Sequence, residues 1–174
     1  MNDRILTTER LVLTPVSADD LEDLLTLWSD EDFTRHIMGR ALGREEVWFR
    51  LLRDLGHWAA MGHGNWTIRL RDGGAYLGSV GVFDYRREME PPFDAPELGW
   101  GVTPEFQGRG YAAEALSAAL DWTDRRLQRR TVCMIAPDNL ASLKLAARVG
   151  YRPYATAIYK DHPVRLFERT SQGT

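Results

Sequence analysis

The sequence has 174 residues, 44% of them hydrophobic and 27% charged, which is enough apolar material for one core in a single domain spanning 1–174. A formal net charge of −3 supplies no broad basic field, so neither nucleic acid nor an anionic membrane is an expected partner, although a small anionic ligand needs only a local positive pocket. The one cysteine, Cys133, lies in the apolar run 131–136, reads as a buried small hydrophobe and cannot form an internal disulfide, so a reducing, cytoplasmic location is the default.

No apolar stretch approaches the roughly 20 residues of a membrane-spanning helix. The N-terminal Met-Asn-Asp-Arg-Ile has no signal-peptide core, and His and Cys never cluster at metal-ligand spacing, so no anchor and no metal are expected.

In chain order, residues 10–14 predict a short strand, and Ser17-Ala-Asp-Asp20 resembles a capping box that opens a helix with Leu21, Leu24, Leu25 and Trp28 on one face. A second helix is predicted over 44–60, with Val47, Leu51, Leu52, Leu55 and Trp58 or Ala59 near helical spacing, until Gly62-His-Gly64 interrupts it. The period then changes. Trp66, Ile68 and Leu70 alternate with polar residues, Asp72-Gly-Gly74 makes a tight turn, and 76–83 returns as the second arm of a hairpin. Pro91, Pro92 and Pro96 make 86–96 a loop, and 97–102 reads as a third antiparallel strand.

From Gly110 the chain turns helical, with Ala113, Leu116, Leu120 and Leu127 on one stripe, and 131–136 follows as a strand, which implies a parallel crossover. Asp138 or Asn139 caps a shorter helix with Leu140, Leu143 and Ala147 inward, Gly150 stops it, and strands near 152–158 and 163–169 complete the order β-α-α-β-β-β-α-β-α-β-β.

The segment Gln107-Gly-Arg-Gly-Tyr-Ala112 stands at a helix start, where backbone N–H groups lack partners and the helix dipole is positive. Gly108 and Gly110 remove Cβ from the approach and Arg109 adds a charge, so the segment suits a phosphate; a purely structural strand-to-helix turn is the other reading. No P-loop pattern occurs. The dinucleotide pattern G-x-G-x-x-A fits only superficially, because 103–107 intervene after the strand and only one βαβ unit is present.

Taken together, Thr8-Glu-Arg-Leu-Val-Leu13, Glu97-Leu-Gly-Trp-Gly-Val102, Gln107-x-x-Gly110-x-Ala112, Asn139-x-x-Ser142 and Val149-Gly-Tyr151 resemble the GCN5-related N-acetyltransferases (GNAT), especially the branch that acetylates ribosomal protein N-termini, over nearly the whole chain. The resemblance implies an α+β fold with a mixed sheet of about seven strands and about four helices, an antiparallel N-terminal half and one parallel βαβ crossover. It also implies that Val102 and Gln107, Gly108, Arg109, Gly110, Tyr111 and Ala112 bind acetyl-CoA through backbone groups, and that a bulge at Gly99 or Gly101 splays the strand so that the pantetheine arm fills the gap. Asn139 resembles the residue that bonds the pantetheine, with a helix cap as the other reading.

Direct acetyl transfer needs a neutral amine, a polarised thioester and a route for the proton. Glu97, at the start of the strand lining the thioester, is the expected base, against an exposed strand-edge role; Ser142, one turn after Asn139, is the expected proton donor to the thiolate, against an ordinary helical serine. It replaces a tyrosine that many relatives use, since Ala146 stands at that place. His162 resembles a recurring Asp-His of this branch that orients substrate or assists deprotonation, with a structural role also open. Trp28, Phe33, Trp48, Trp58 and Trp66 are candidates for a wall around the acceptor, or for core, and Glu88, Glu90 and Asp94 for attracting a cationic substrate, or for a solvated loop.

The leading expectation is therefore an acetyl-CoA-dependent N-acetyltransferase acting on a peptide or protein N-terminus or a small-molecule amine, with monomer and homodimer both open. A non-catalytic acyl-CoA-binding module and, behind it, an NAD(P)-binding oxidoreductase are the alternatives.

Overall fold

The period-two and period-3.6 segments resolve, in a computed structural model describing residues 3–127 and 129–171, into eight strands and five helices among the described residues. The strands are β1 (Leu6–Thr7), β2 (Leu11–Pro15), β3 (Asn65–Leu70), β4 (Tyr76–Phe83), β5 (Glu97–Val102), β6 (Thr131–Ile135), β7 (Arg152–Tyr159) and β8 (His162–Arg169). The helices are α1 (Leu21–Trp28), α2 (Glu31–Thr34), α3 (Arg44–Met61), α4 (Tyr111–Leu127) and α5 (Leu140–Arg148). One strand and one helix more than expected are present. The two-residue β1 is too short to show alternation, and the single turn of α2 is held by the Asp30 side chain accepting from Phe33 N–H at 2.8 Å, a local cap rather than an apolar stripe.

One sheet runs in the order β1-β2-β3-β4-β5-β6-β8-β7, antiparallel throughout except between β5 and β6. That single parallel pair is the crossover through α4, and it leaves no succession of βαβ units for a dinucleotide. The β3–β4 hairpin closes where Gly73 and Gly74 both take positive φ, as the Asp-Gly-Gly turn predicts. A second two-residue turn, Lys160 and Asp161, also with positive φ, joins β7 to β8 and places His162 opposite Tyr159.

The core centres on a tryptophan cluster. Trp66 of β3 meets Trp58 of α3 at 5.0 Å and Trp122 of α4 at 5.1 Å between ring centroids, both edge-on, so one side chain joins two helices to the sheet. Each indole N–H donates to a backbone carbonyl, Trp66 to Arg4, Trp58 to Asn65 and Trp122 to Asp3, so the burial leaves no orphaned indole donor. Asp20 anchors α1 in the same way. It is buried, accepts from Ser17 N–H at 2.8 Å as half of the predicted capping box, and accepts from Thr67 Oγ1 and Arg69 Nη2 of β3, both at 2.8 Å.

Two helix faces differ from expectation. In α5 the fully buried residue is Ala146, while Leu140 is 64% exposed and Ala147 is also outside, because the short helix is fixed by its Asn139 cap and by Tyr151 N–H donating to the Ala146 carbonyl. In α3 Leu52 faces solvent with Trp48 and Phe49, and the inward face carries Asp54 and His57 beside Leu51 and Trp58.

Candidate active site

Strands β5 and β6 share one registered pair, Glu97 opposite Val132, stitched by Val132 N–H donating to the Pro96 carbonyl at 3.0 Å. Beyond it they part. The expected bulge in β5 is not what opens them, since β5 keeps continuous register with β4 from Glu97 to Val102. Its glycines serve packing instead: a Cβ on Gly99 would lie 2.8 Å from Phe83 Cζ, and one on Gly101 would lie 2.4 Å from Phe33 Cε2.

The gap is the floor of a cavity of about 640 Å³ that reaches from α1 and α3 to the β7–β8 turn. Glu97, Asn139, Ser142 and His162 all line it, so four residues predicted separately from sequence share one space. The residues 107–112 do not line it. They form the turn into α4 and its first two residues, and Gly110 with Arg10 borders a second cavity of about 570 Å³.

Glu97 is 5% exposed, which excludes the strand-edge alternative. Burial pushes its carboxyl above the ordinary range, and the Arg87 guanidinium, whose Nε donates to Oε2, pulls the other way. Arg87 Nη1 donates in turn to Tyr159 Oη at 2.8 Å. Among the described residues Oε1 of Glu97 has no hydrogen-bond partner. A sheltered carboxylate held by one oxygen and free at the other can accept a proton directly or through water.

The opposite wall is polar by helical spacing. Arg53 Nε donates to Asp54 Oδ1 at 2.9 Å, Asp54 accepts from Tyr85 Oη at 2.6 Å, and Tyr85 accepts from Asn65 Nδ2 at 2.9 Å. Arg50, one turn earlier on α3, stacks over Trp28 at 3.7 Å. Of the aromatic candidates, Trp28, Phe33 and Trp66 line the cavity, Trp58 is core, and Trp48 is on the outer face of α3. Glu88, Glu90 and Asp94 stand away from the lining, and Asp94 is paired with Arg130.

At the far end, Asn139 Oδ1 accepts from Ser142 N–H at 3.1 Å, which confirms its capping role, and Ser142 Oγ has no partner among the described residues. Ala146 is buried beneath the helix, so no side chain from that turn reaches the cavity. His162 sits at the exposed rim, against Gly39 of the loop after α2. The same loop lines the cavity, and His36 Nδ1 lies 3.3 Å from Asp138 Oδ1.

Gly108 and Gly110 have φ of +74° and +81°, and a Cβ on Gly108 would meet nothing within 4 Å. Among the described residues no group accepts from the N–H of Gly108, Arg109, Gly110, Tyr111 or Ala112, so five donors point away from internal partners. Gln107 is committed elsewhere: its Nε2 donates to the Val102 carbonyl at 3.0 Å, so that acceptor is occupied and the loop is clamped to the end of β5.

Sequence reasoning missed several of these partners. Arg10 Nε meets Glu114 Oε2 at 2.7 Å, Arg10 Nη1 donates to the Arg109 carbonyl at 3.1 Å, and Thr8 Oγ1 donates to Glu114, so the start of β2 braces the start of α4. No local pattern announces a pair that far apart. Arg50, Arg53, Asp54 and His57, by contrast, have i, i+3, i+4, i+7 spacing, and the untidy apolar seam of α3 was the available signal.

No described helix is long and apolar enough to cross a membrane, and no group of three or more described His, Cys, Asp or Glu residues could hold a metal. The acetyltransferase (GNAT) domain family matches residues 10–152. A structure from Bordetella pertussis described as a GnaT-family acetyltransferase is 35% identical, with a TM-score of 0.86 over 95% of this chain and 99% of that one. YnaD of Bacillus subtilis, described as an uncharacterized N-acetyltransferase, is 24% identical over 84% of this chain and 82% of its own length. The ribosomal L7/L12 alpha-N-protein acetyltransferase RimL in complex with coenzyme A shares the fold at 16% identity, with a TM-score of 0.78 over 98% and 99% of the two chains. With the open strand pair, the bare helix start and the sheltered carboxylate in place, the chain belongs to the GNAT family of acetyltransferases.

Proposed function

We propose that this acetyltransferase moves the acetyl group of acetyl-CoA directly onto a primary amine, that of a peptide or protein N-terminus or of a small molecule, with Glu97 as the base. The observation that carries the reading is the shared cavity: Glu97, Ser142 and His162 line one space at the point where β5 leaves β6.

The residues present fit acetyl-CoA. Five unpartnered N–H groups at Gly108 to Ala112, on the positive end of a 17-residue helix, suit its diphosphate, and Arg109 is free to add charge. The coenzyme A-bound relative with the same fold supports the same ligand here. Bound there, acetyl-CoA supplies an activated thioester.

The chain's own groups manage the protons. An amine enters as an ammonium and loses a proton to Glu97, whose free Oε1 and raised affinity for protons favour that role. Arg87 orients the carboxylate and limits the shift. Ser142 Oγ, which lines the same cavity, relays to the departing thiolate the proton shed by the newly acylated nitrogen, and His162 at the rim orients the amine as it enters. Asn139 acts mainly by holding the first turn of α5, and with it Ser142, in place. The Cys133 thiol is buried and pushed well above its ordinary value, which rules it out as a covalent nucleophile.

The test is release of free CoA from acetyl-CoA with a panel of amines, including peptides with Ser or Ala first, polyamines and aminoglycosides. Turnover that collapses in Glu97→Gln with unchanged acetyl-CoA affinity supports the reading. Binding with no release from any amine would instead favour a non-catalytic acyl-CoA-binding module. The oxidoreductase alternative would require stabilisation by NAD(P), which the single parallel crossover does not favour.

A further inference from the structure

The acceptor wall of the cavity holds three arginines from two elements, and only one lacks a carboxylate. Arg53 is neutralised by Asp54, with Nη2 at 2.8 Å from Oδ1, and Arg87 by Glu97. Arg50 lines the same cavity with its Cζ 3.7 Å above the Trp28 ring, and among the described residues no acidic side chain pairs with it.

A sheltered guanidinium without a counter-charge is costly, and chains normally pair one or expose it. Its setting shows in its protonation: burial, then repulsion from Arg53, push it down to about 10 against the pull of the Asp54 carboxylate, which is itself bonded to Arg53 and Tyr85. With its Cζ over the Trp28 ring and no hydrogen bond from its guanidinium to a described residue, the fork is available to a ligand in the cavity, and a guanidinium binds a carboxylate by two parallel bonds. Around the whole lining, five basic side chains (Arg35, Arg50, Arg53, Arg87, Lys160) face three carboxylates (Asp54, Glu97, Asp138). The acidic loop residues that would draw a polycation are not there.

We infer that Arg50 anchors a carboxylate on the acceptor, so that the amine acetylated in this cavity belongs to a small amino carboxylate. The inference rests on the amine-acetylation reading above and narrows it. In the bound acceptor the carboxylate sits on Arg50 over Trp28, and the amino group is directed across the cavity toward Glu97 on β5.

The experiment is calorimetric titration of CoA-saturated protein with N-acetyl L-amino acids, covering the range of side chains, and with the matching N-acetyl amino amides. The expected result is that at least one acid binds about tenfold or more tightly than its amide. Arg50→Gln abolishes that difference while acetyl-CoA affinity and melting temperature hold, and Arg50→Lys, which keeps the charge without the fork, retains part of it. Acids that never outrank their amides, or a preference that survives in Arg50→Gln, overturn the inference. Turnover is scored separately with the free amino acids and amides: acid binding through Arg50 without CoA release defeats the transfer reading alone, and turnover of amides as fast as acids defeats the carboxylate anchor alone.

Discussion

Arg10 and Glu114 meet at 2.7 Å, which ties the first residues after β1 to the first turn of α4. Burial tends to raise the Glu114 carboxyl, but bonds from Thr8 and from the Arg10 backbone and side chain outweigh it and leave the group below its ordinary value. The pair therefore stays ionic at neutral pH and holds the loop carrying the five free N–H groups.

Arg10→Ala is expected to raise the KM for acetyl-CoA by about tenfold, the scale of one charge-assisted contact, with little change in melting temperature because the arginine is solvent-facing. Steady-state kinetics at saturating amine would check it. An unchanged KM would mean the loop holds its shape without the brace.

Gly78 sets the approach of β4 to β5. A Cβ there would lie 2.1 Å from the Gly101 carbonyl oxygen and 2.9 Å from Val102 Cα, at φ +149°, and backbone cannot move aside as a side chain can. Gly78→Ala is expected to cost about 3 kcal/mol in urea unfolding. A loss below about 1 kcal/mol would show that the strands separate freely at this point.

Glu97 gives a pH signature. Only the carboxylate accepts the proton, so kcat/KM falls as pH drops through the folded pKa, which burial places above the ordinary 4.5. The acid limb of the profile should stand above that value, and Glu97→Gln should lose the limb together with about a hundredfold or more in kcat. A limb that persists in the variant would assign it to another group.

A second pH effect concerns stability. His57 Nδ1 donates to the His63 carbonyl at 2.6 Å and its Nε2 accepts from Asp84 N–H at 2.9 Å, while His63 Nδ1 donates to the Val82 carbonyl at 2.9 Å, so hydrogen bonding fixes the tautomer of His57. Burial holds His63 below its ordinary 6.5. Between the lowered folded value and 6.5 the unfolded chain takes up the proton first, so stability is fully present above 6.5 and declines as pH falls through that window. Melting temperature measured from pH 7.5 to 5 should drop, and more shallowly in His63→Gln. Parallel curves for the two proteins would remove His63 from the account.

Local patterns carried most of the fold because they are local. Trp66, Ile68 and the Asp72-Gly-Gly74 turn announce a hairpin within a dozen residues, and Gly62, with φ +73°, stops α3 where the sequence places it. Leu140 misled because a single apolar residue beside an Asn cap reads as inward whether or not the sheet covers it. In the site, Glu97, Asn139, Ser142 and His162 were legible through a spaced family pattern. Arg87 was not, since a loop arginine ten residues before its carboxylate has no periodicity to betray it, and Arg10 is separated from Glu114 by 104 positions.

The claim on which the account turns is that the N–H groups of Gly108 to Ala112 are donors kept for the diphosphate of acetyl-CoA. Amide hydrogen exchange across 107–113, with and without acetyl-CoA, tests it most directly. Fast exchange at these positions in the free protein and strong protection on addition of acetyl-CoA are expected. Saturating acetyl-CoA that leaves their exchange unchanged, or amides already protected in the free protein, would contradict it.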